Sequence, residues 1–211
     1  MIVKICGNRR REDVVAAIDA GANAVGFVVA TPRSPRDLMV SDAASLIRLV
    51  PPLVDSVVVT AARSESTLRR LAMDLNPGAI QIQGMEDLAL LDRLRGTVRA
   101  RIVVGMAVES DASVAAARRL APHCDAIVLD SSHGGRLGGT GRVHDWTVSR
   151  TIRDAIHPFP VILAGGLSPT NVASAIQAVQ PFAVDVASGV ESGGFKSREL
   201  VNEFVREARN G

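Results

Sequence analysis

The feature that most restricts the fold is an alternation, repeated eight times, between short runs rich in Val and Ile and longer amphipathic segments. The runs predict strands at residues 2–5, 24–29, 56–59, 79–82, 101–104, 126–129, 161–163 and 183–186. The segments between and after them predict helices at residues 12–20, 42–50, 65–74, 87–94, 112–120, 148–155, 170–179 and 198–208. Most of the runs lack polar alternation, which is typical of parallel strands covered on both faces.

Eight consecutive strand–helix units in 211 residues predict a closed α/β fold, a (β/α)8 TIM barrel that spans residues 1–211 as a single domain. A doubly wound open sheet is the alternative. That fold usually has fewer strands and carries a Gly-rich turn after the first one. No dinucleotide-binding fingerprint follows residues 2–5, so the barrel is favoured.

Composition excludes several classes of function. The net charge of +2, from 24 basic and 22 acidic residues, is too small for a strong sequence-independent grip on nucleic acid. Aromatic residues make up only 3%, which argues against a stacking platform for single strands. The longest apolar run, residues 24–30, is far too short to cross a bilayer. Two cysteines without metal-ligand spacing predict no metal site and a cytoplasmic protein with reduced thiols.

In a barrel of this kind, function is expected at the carboxyl ends of the strands. Two glycine-containing turns follow the seventh and eighth strands, one at Gly165 and Gly166, the other at Ser188 and Gly189. Each turn alone is explained as well by a tight change of chain direction. Both occur where barrels often bind a phosphate group through backbone N–H donors, so together they predict a phosphate site.

Two titratable residues end strands at the same expected face. Cys6 ends the first strand, where a free cysteine is ordinarily a small buried apolar group. Asp130 directly follows an apolar strand, where it can act as a turn or cap residue. On roughly opposite strands the two would form a base and an acid that flank one substrate. The thiol would need a pKa brought toward neutrality, whereas Cys124 follows a helix at the opposite face and is assigned to structure.

Two further charged residues are candidates with different expected roles. Arg36 lies in the loop after the second strand, where a guanidinium can hold a carboxylate with two hydrogen bonds. Asp185 lies inside the last strand between valines, which favours a structural, hydrogen-bonded role. The Gly-rich stretch 130–146 is the longest without periodicity, and His133 within it is a weak candidate for ligand contact.

Five groups of residues, in register with the predicted units, resemble the phosphoribosylanthranilate isomerase family of tryptophan biosynthesis. The resemblance extends from Val3 to about Phe204 and so covers essentially the whole chain. The groups are Lys4-Ile5-Cys6-Gly7; Gly26-Phe27 with Ser34-Pro35-Arg36; Gly138-Gly139-Thr140-Gly141 with Asp145-Trp146; Ala164-Gly165-Gly166-Leu167 with Asn171-Val172; and Val184-Asp185-Val186 with Ser188-Gly189-Val190-Glu191.

The resemblance implies a (β/α)8 barrel that performs an Amadori rearrangement without a cofactor. The substrate would be N-(5-phosphoribosyl)anthranilate and the product its 1-deoxyribulose 5-phosphate derivative. Cys6 would be the general base, Asp130 the general acid, and Arg36 would approach the anthranilate carboxylate. A small phosphosugar is then the expected partner, with no nucleic acid, no membrane and no metal, for a monomer or homodimer.

The sequence departs from the family pattern at three places near the expected site. The fourth strand of the family usually ends in Gln-x-His-Gly, whereas Gln83 replaces the His here. Thr60 stands where Asn is usual, and Ala30 where an aromatic residue is common. Gln83 can still donate and accept hydrogen bonds to substrate but cannot titrate.

Two other readings remain open. Another phosphosugar enzyme could use the same barrel. The related histidine-pathway isomerase, however, has an aspartate where Cys6 stands. Metal-dependent epimerases need His and Asp ligands at strand ends, and the sequence lacks them there. A non-catalytic module that binds a phosphoribosyl ligand would keep the glycine turns and lose the acid–base pair. Retention of both Cys6 and Asp130 argues against it.

Overall fold

The structure is a computed structural model, and it describes residues 1–110, 112–133, 136–137 and 144–211. Eight strands pair in parallel, each with its successor, and the first also pairs with the last, which closes a barrel. The strands are β1 (Ile2–Ile5), β2 (Ala24–Val29), β3 (Asp55–Thr60), β4 (Ala79–Gln83), β5 (Arg101–Val108), β6 (Ala126–His133), β7 (Val161–Leu163) and β8 (Ala183–Val186).

Each strand is followed by a helix that covers the outside of the barrel. The helices are α1 (Arg11–Asp19), α2 (Val40–Ile47), α3 (Glu65–Leu75), α4 (Leu88–Arg95), α5 (Ala112–Leu120), α6 (Trp146–Ile156), α7 (Val172–Val179) and α8 (Arg198–Asn210). The predicted TIM barrel is thereby confirmed, with every predicted strand and helix present. Strands β5 and β6 extend four residues beyond their predicted ends. They continue to pair with each other as far as Val108 opposite Ser131, and the last two residues of β6 pair with residues 136 and 137.

Serine side chains cap the starts of two of the helices. Ser64 and Ser197 cap α3 and α8 as their sequence context indicates, each accepting a backbone N–H three residues on. Ser41 and Ser168 do not cap the neighbouring helices. Ser41 lies inside α2, and the backbone N–H of Ser168 donates to the Asn171 side chain in a turn that precedes α7.

Side-chain alternation along the strands separates two apolar regions. One lies between the strands and the helices and contains most of the large aliphatic side chains. The other fills the inside of the barrel with small ones, among them Ala24, Val57, Val59, Ala79, Val103, Ala126 and Val128. Polar residues that alternate with the outward-facing core must therefore also point inward: Lys4, Gln81, Asp130 and Asp185.

Short elements decorate the carboxyl ends of the strands. Asp37–Leu38 adds to β2, Ser188–Val190 forms one turn of 3₁₀-helix after β8, and Glu191–Ser192 pairs with Phe195–Lys196 in a small hairpin. The hairpin packs against α1, where the guanidinium of Arg10 lies 3.7 Å from the centre of the Phe195 ring. In the described part of the chain, no helix is long and apolar enough to cross a membrane.

Candidate active site

Strand register gathers the candidate acid, Asp185 and Lys4 into one row inside the barrel. Leu129 pairs with Leu163, Leu163 with Val184 and Val184 with Val3. One residue further along each strand, the row therefore reads Asp130, Ala164, Asp185 and Lys4. The small Ala164 is the only position between the two aspartates on this row. Cys6 is the next inward position above Lys4 on β1.

Asp130 is buried, with only 6% of its surface exposed. Burial raises the pKa of its carboxyl, and the negative charge of Asp185 raises it further, to about 7. The backbone N–H of Ser131 and the charge of Lys4 act in the opposite direction. Oδ1 of Asp130 has no hydrogen-bond partner among the described residues. Near neutral pH this side chain is therefore partly protonated and has a proton to donate.

Cys6 is buried at the end of β1, and burial raises the pKa of its thiol above the usual value. Lys4 and Lys196 lower that pKa and Asp185 raises it, but burial outweighs the two cations. The pKa of Cys6 is thus shifted away from neutrality, whereas the sequence analysis expects the thiol of a base to have a pKa brought toward neutrality. Gly26 leaves room for the sulfur, since a Cβ there would come within 2.7 Å of Sγ.

Lys4 and Asp185 form a buried ion pair on the floor below Cys6. Nζ of Lys4 lies 2.8 Å from Oδ2 of Asp185, and both side chains are less than a tenth exposed. Burial opposes the charge on Lys4, but Asp185 and Cys6 more than compensate, so that the pKa of Lys4 is raised. Asp185 thus has the hydrogen-bonded role that its place between valines indicated.

Arg36 reaches the mouth of the barrel but already holds a carboxylate of the protein. Its Nε and Nη2 lie 2.8 and 2.6 Å from the two carboxylate oxygens of Glu191. Lys196 also contacts Glu191, with Nζ 2.7 Å from Oε1. A Cβ on Gly7 would collide with the Arg36 side chain, so glycine is required where this arginine crosses the loop. Two cations share one carboxylate, which leaves the cluster with a net positive charge.

The glycine turns after β7 and β8 have the geometry that brings backbone N–H groups to an anion. Gly165 and Gly166 have φ angles of +79° and +68°, a region that favours glycine. Among the described residues, their N–H groups donate to no other backbone group. Ser188 and Gly189 lie in the one-turn helix after β8, and a Cβ on Gly189 would collide with the carbonyl oxygen of Leu167. The two turns are therefore packed directly against each other.

Gln83 ends β4 and points into the mouth. A Cβ on Gly105 would collide with its amide, so the neighbouring strand makes room for this side chain. Its Oε1 has no hydrogen-bond partner among the described residues. Thr60 is fully buried and its hydroxyl accepts the N–H of Ala62, whereas Ala30 adopts a positive φ of +54°. Of the three departures from the family pattern, only Gln83 carries a buried polar atom without a hydrogen-bond partner among the described residues.

The structure also shows which candidates lie elsewhere. Cys124 precedes β6 at the opposite end of the barrel, where burial raises its pKa to about 12 and Sγ lies 3.3 Å from the carbonyl oxygen of Leu120. Residues 138–141, which carry one of the family motifs, lie outside the described residues, as does the side chain of His133. Among the described residues, no group of three or more His, Cys, Asp and Glu side chains is placed to hold a metal.

Three charged residues of this site were assigned no role from the sequence, although the first two belong to the family motifs: Lys4, Glu191 and Lys196. A lysine two positions before Cys6 in an apolar strand is a signal for an inward-facing charge, because alternate residues share a face. The contact of Arg36 with Glu191 joins residues 155 apart in the chain and has no local signal. Lys196 is recognised only when the hairpin folds over the end of β8.

Two surface cavities lie outside this cluster. One of about 670 Å³ lies on α3 and is lined by its charged side chains together with Met73. Another of about 610 Å³ lies between the loop after β4 and α5, where Met85, Met106 and Glu109 line it. Neither cavity is lined by Cys6, Asp130 or the Lys4–Asp185 pair.

A closed barrel with its titratable groups gathered at the carboxyl ends of the strands is the architecture of a (β/α)8-barrel enzyme. The family model described as "N-(5'phosphoribosyl)anthranilate (PRA) isomerase" matches residues 3–207. An N-(5'-phosphoribosyl)anthranilate isomerase of Methanothrix thermoacetophila is 41% identical over 208 residues, 99% of this chain and 98% of the relative. The chain belongs to the phosphoribosylanthranilate isomerase family.

Solved structures agree with this assignment. The crystal structure of phosphoribosyl anthranilate isomerase from Thermotoga maritima superposes with a TM-score of 0.88 at 32% identity, over 100% of both chains. An isomerase of the same name from Thermus thermophilus gives 0.85 at 27% identity, over 100% of this chain and 99% of the other. The expectation of an isomerase of tryptophan biosynthesis is confirmed.

Proposed function

We propose that Asp130 and Cys6 are the general acid and general base that isomerise N-(5'-phosphoribosyl)anthranilate in this protein. The observation that carries the proposal is the buried carboxyl of Asp130, whose pKa of about 7 lets it hold a proton at neutral pH. Asp130 protonates the ring oxygen of the sugar while the bond from that oxygen to C1 breaks. The nitrogen lone pair forms the C=N bond, which gives a cationic Schiff base.

Cys6 acts in the second step. Its thiolate removes the proton from C2, and the electron pair forms a C1=C2 bond while the C=N electrons return to nitrogen. The resulting enolamine tautomerises to the ketone. Burial keeps Cys6 a thiol in the free protein. The reactive form carries this proton on Asp130 instead, which leaves Cys6 as the thiolate. The positive charge of the Schiff base then favours the thiolate during the second step.

The remaining candidate residues hold the substrate. Backbone N–H groups of Gly165, Gly166 and Gly189, with the Ser188 turn, bind the phosphate. The net positive cluster around Arg36 receives the anthranilate carboxylate, and Gln83 offers an amide to the substrate. A solved isomerase with a TM-score of 0.85 and 31% identity, over 100% of both chains, is in complex with reduced 1-(o-carboxyphenylamino)-1-deoxyribulose 5-phosphate. That complex supports a phosphosugar ligand here.

The proposal extends to the setting of the enzyme. One barrel over residues 1–211 acts as a single domain, in the cytoplasm, as a monomer or homodimer. A Thermotoga maritima phosphoribosylanthranilate isomerase with a TM-score of 0.86 and 30% identity is described as dimeric. Its alignment over 100% of both chains supports the homodimer as one of the two states.

The test is the loss of anthranilate-linked fluorescence when purified protein is added to N-(5'-phosphoribosyl)anthranilate. Wild-type protein is expected to convert the substrate, and Cys6→Ala and Asp130→Asn are each expected to reduce kcat by about 10²- to 10⁴-fold with KM little changed. Cys124→Ser is the matched control, since that cysteine is equally buried but lies at the other end of the barrel. Full turnover in either active-site variant would remove that residue from the mechanism.

A non-catalytic phosphoribosyl-binding protein is the alternative. It requires tight binding of the substrate analogue without turnover in wild-type protein. The same assay distinguishes it, because bound substrate then keeps its fluorescence or returns it on denaturation, whereas turnover consumes it.

A further inference from the structure

We propose that the Lys4–Asp185 ion pair is a positioning pair that acts through both reacting side chains: its ammonium end favours the thiolate of Cys6 and its carboxylate end holds the proton on Asp130. This inference rests on the proposed function, because it assigns a role toward those two groups. It gives Asp185 a role beyond its hydrogen bond and gives Lys4 a role for the first time.

The geometry orients the pair between the two groups. Lys4 on β1 and Cys6 directly after this strand are successive inward residues, so the ammonium lies on the side of the sulfur. Asp185 lies one strand away on β8, and only Ala164 separates it from Asp130 on the same row. Oδ2 of Asp185 binds Lys4, whereas its Oδ1 has no partner among the described residues. Oδ1 of Asp130 has none either.

The electrostatic effects follow this orientation. After burial, Lys4 has the largest effect on the pKa of Cys6 and lowers it, while Asp185 raises it less. On Asp130 the order is reversed: after burial, Asp185 raises the pKa most, while Lys4 lowers it less. One ion pair therefore acts as a dipole whose positive end is at the base and whose negative end is at the acid. An ion pair with the opposite orientation would raise the pKa of Cys6 and lower that of Asp130, and so would weaken both the base and the acid.

Other charges also face these groups. Cys6 faces Lys196 from the hairpin after β8 and Arg36 from the loop after β2, in addition to the ion pair. Both of those cations are paired with Glu191. Asp130 faces Asp185 and Lys4. Neither Arg36 nor Lys196 affects the pKa of Asp130. Among these charges, only the Lys4–Asp185 pair therefore affects the pKa values of both reacting side chains.

The pair matters because the competent protonation state is a minority form. Catalysis needs Cys6 as thiolate and Asp130 as carboxylic acid, although the pKa of Cys6 is raised above its usual value of 9.0 and that of Asp130 is about 7. The population of this form falls about tenfold for each unit that separates the two pKa values. By narrowing that separation from both sides, the ion pair increases the reactive population.

The first test titrates the thiol directly. The thiolate absorbs in the ultraviolet, and the chain contains no Tyr whose ionisation would overlap. In a Cys124→Ser background, the variant Lys4→Gln with Asp185→Asn replaces the ion pair with neutral amides that can still hydrogen-bond. The Cys6 titration is expected to move to higher pH, with a roughly tenfold lower thiolate fraction at a given pH. Asp185→Asn alone is expected to move it to lower pH, because Lys4 remains.

The second test is the pH dependence of kcat/KM, which reports the free protein. In the double variant the acid limb is expected to move to lower pH and the alkaline limb to higher pH, so that the profile broadens while its maximum falls. In Asp185→Asn both limbs are expected to move to lower pH. A pair that only supports the fold would lower activity equally at all pH values and leave the limbs in place.

Asp13→Asn is the matched control, since Asp13 is equally buried and ion-paired, with Arg10. It is expected to lower stability without moving either limb. If the double variant and Asp185→Asn both keep the wild-type thiol titration and the wild-type limbs, the inference is wrong. Failure of the proposed function is seen separately, as full turnover in Cys6→Ala or Asp130→Asn.

Discussion

Replacing Asp130 with Asn is expected to stabilise the fold at neutral and alkaline pH. The folded protein holds the proton of this carboxyl up to about pH 7, whereas the unfolded chain releases it near its ordinary pKa of 3.8. Folding therefore gains from Asp130 only in acid, and the gain is lost as pH rises from about 4 to 7. A difference of about three units corresponds to about 4 kcal/mol at 1.36 kcal/mol per unit.

Urea unfolding of both proteins, at a series of pH values from 4 to 8, measures the effect. The free energy of unfolding of Asp130→Asn minus that of wild type is expected to rise by about 4 kcal/mol over this range. Taking the difference cancels the pH dependence of other groups. The side chains have nearly the same shape, so any constant offset reflects packing and hydrogen bonding. A difference that stays constant within about 1 kcal/mol would show that Asp130 has an ordinary pKa and refute its assignment as a neutral-pH acid.

Three further variants test the rest of the site. Arg36→Ala is expected to raise KM about ten- to a hundredfold with kcat little changed, as loss of a charged hydrogen bond predicts, and steady-state kinetics that show only a kcat effect would contradict its binding role. Gly165→Ala is expected to lower both stability and kcat, because its Cβ would collide with Ser131 and come within 2.9 Å of Oδ1 of Asp130. Gly193→Ala, also at a positive φ (+57°) but with open space around it, should lower stability alone. Equal kcat values for the two variants in the fluorescence assay would argue against the crowding. Gln83→His should add a limb between about pH 6 and 7 to the kcat profile, and an unchanged profile would place residue 83 away from the reaction.

The fold could be predicted because each of its units carries its own local signal. A buried parallel strand is a short apolar run, and a covering helix repeats its apolar face every three to four residues. Strand ends were less predictable. Residues 105–108 and 130–133 contain Gly, Asp, Ser and His, which end a strand by local criteria. The first segment nevertheless stays paired with residues 128–131, and residues 132 and 133 pair with 137 and 136. That pairing is a property of the closed sheet and not of either segment.

The candidate site likewise contains residues that have a local sequence signal and residues that do not. Cys6 and Asp130 could be found because each directly follows an apolar strand, and a barrel assigns such positions to one face. The charged residues that act on Cys6 and Asp130 could not be found in this way. Which residue lies opposite Lys4 depends on the register between the first and last strands, which are joined only when the barrel closes. The pairing of Arg36 with Glu191 likewise requires the loops after β2 and β8 to meet.

The same burial that destabilises the charged form of Asp130 makes it an acid at neutral pH, so stability and reactivity are in opposition at this residue. Burial acts differently on Cys6, because there it favours the unreactive thiol. Lys4, below the sulfur, lowers the pKa of Cys6, and Asp185 raises the pKa of Asp130. Each shift is in the direction that the role of the residue requires. Since a buried ion pair contributes little net stability against an apolar replacement, its retention inside a barrel otherwise filled by small aliphatic side chains is better explained by its effect on these two protons.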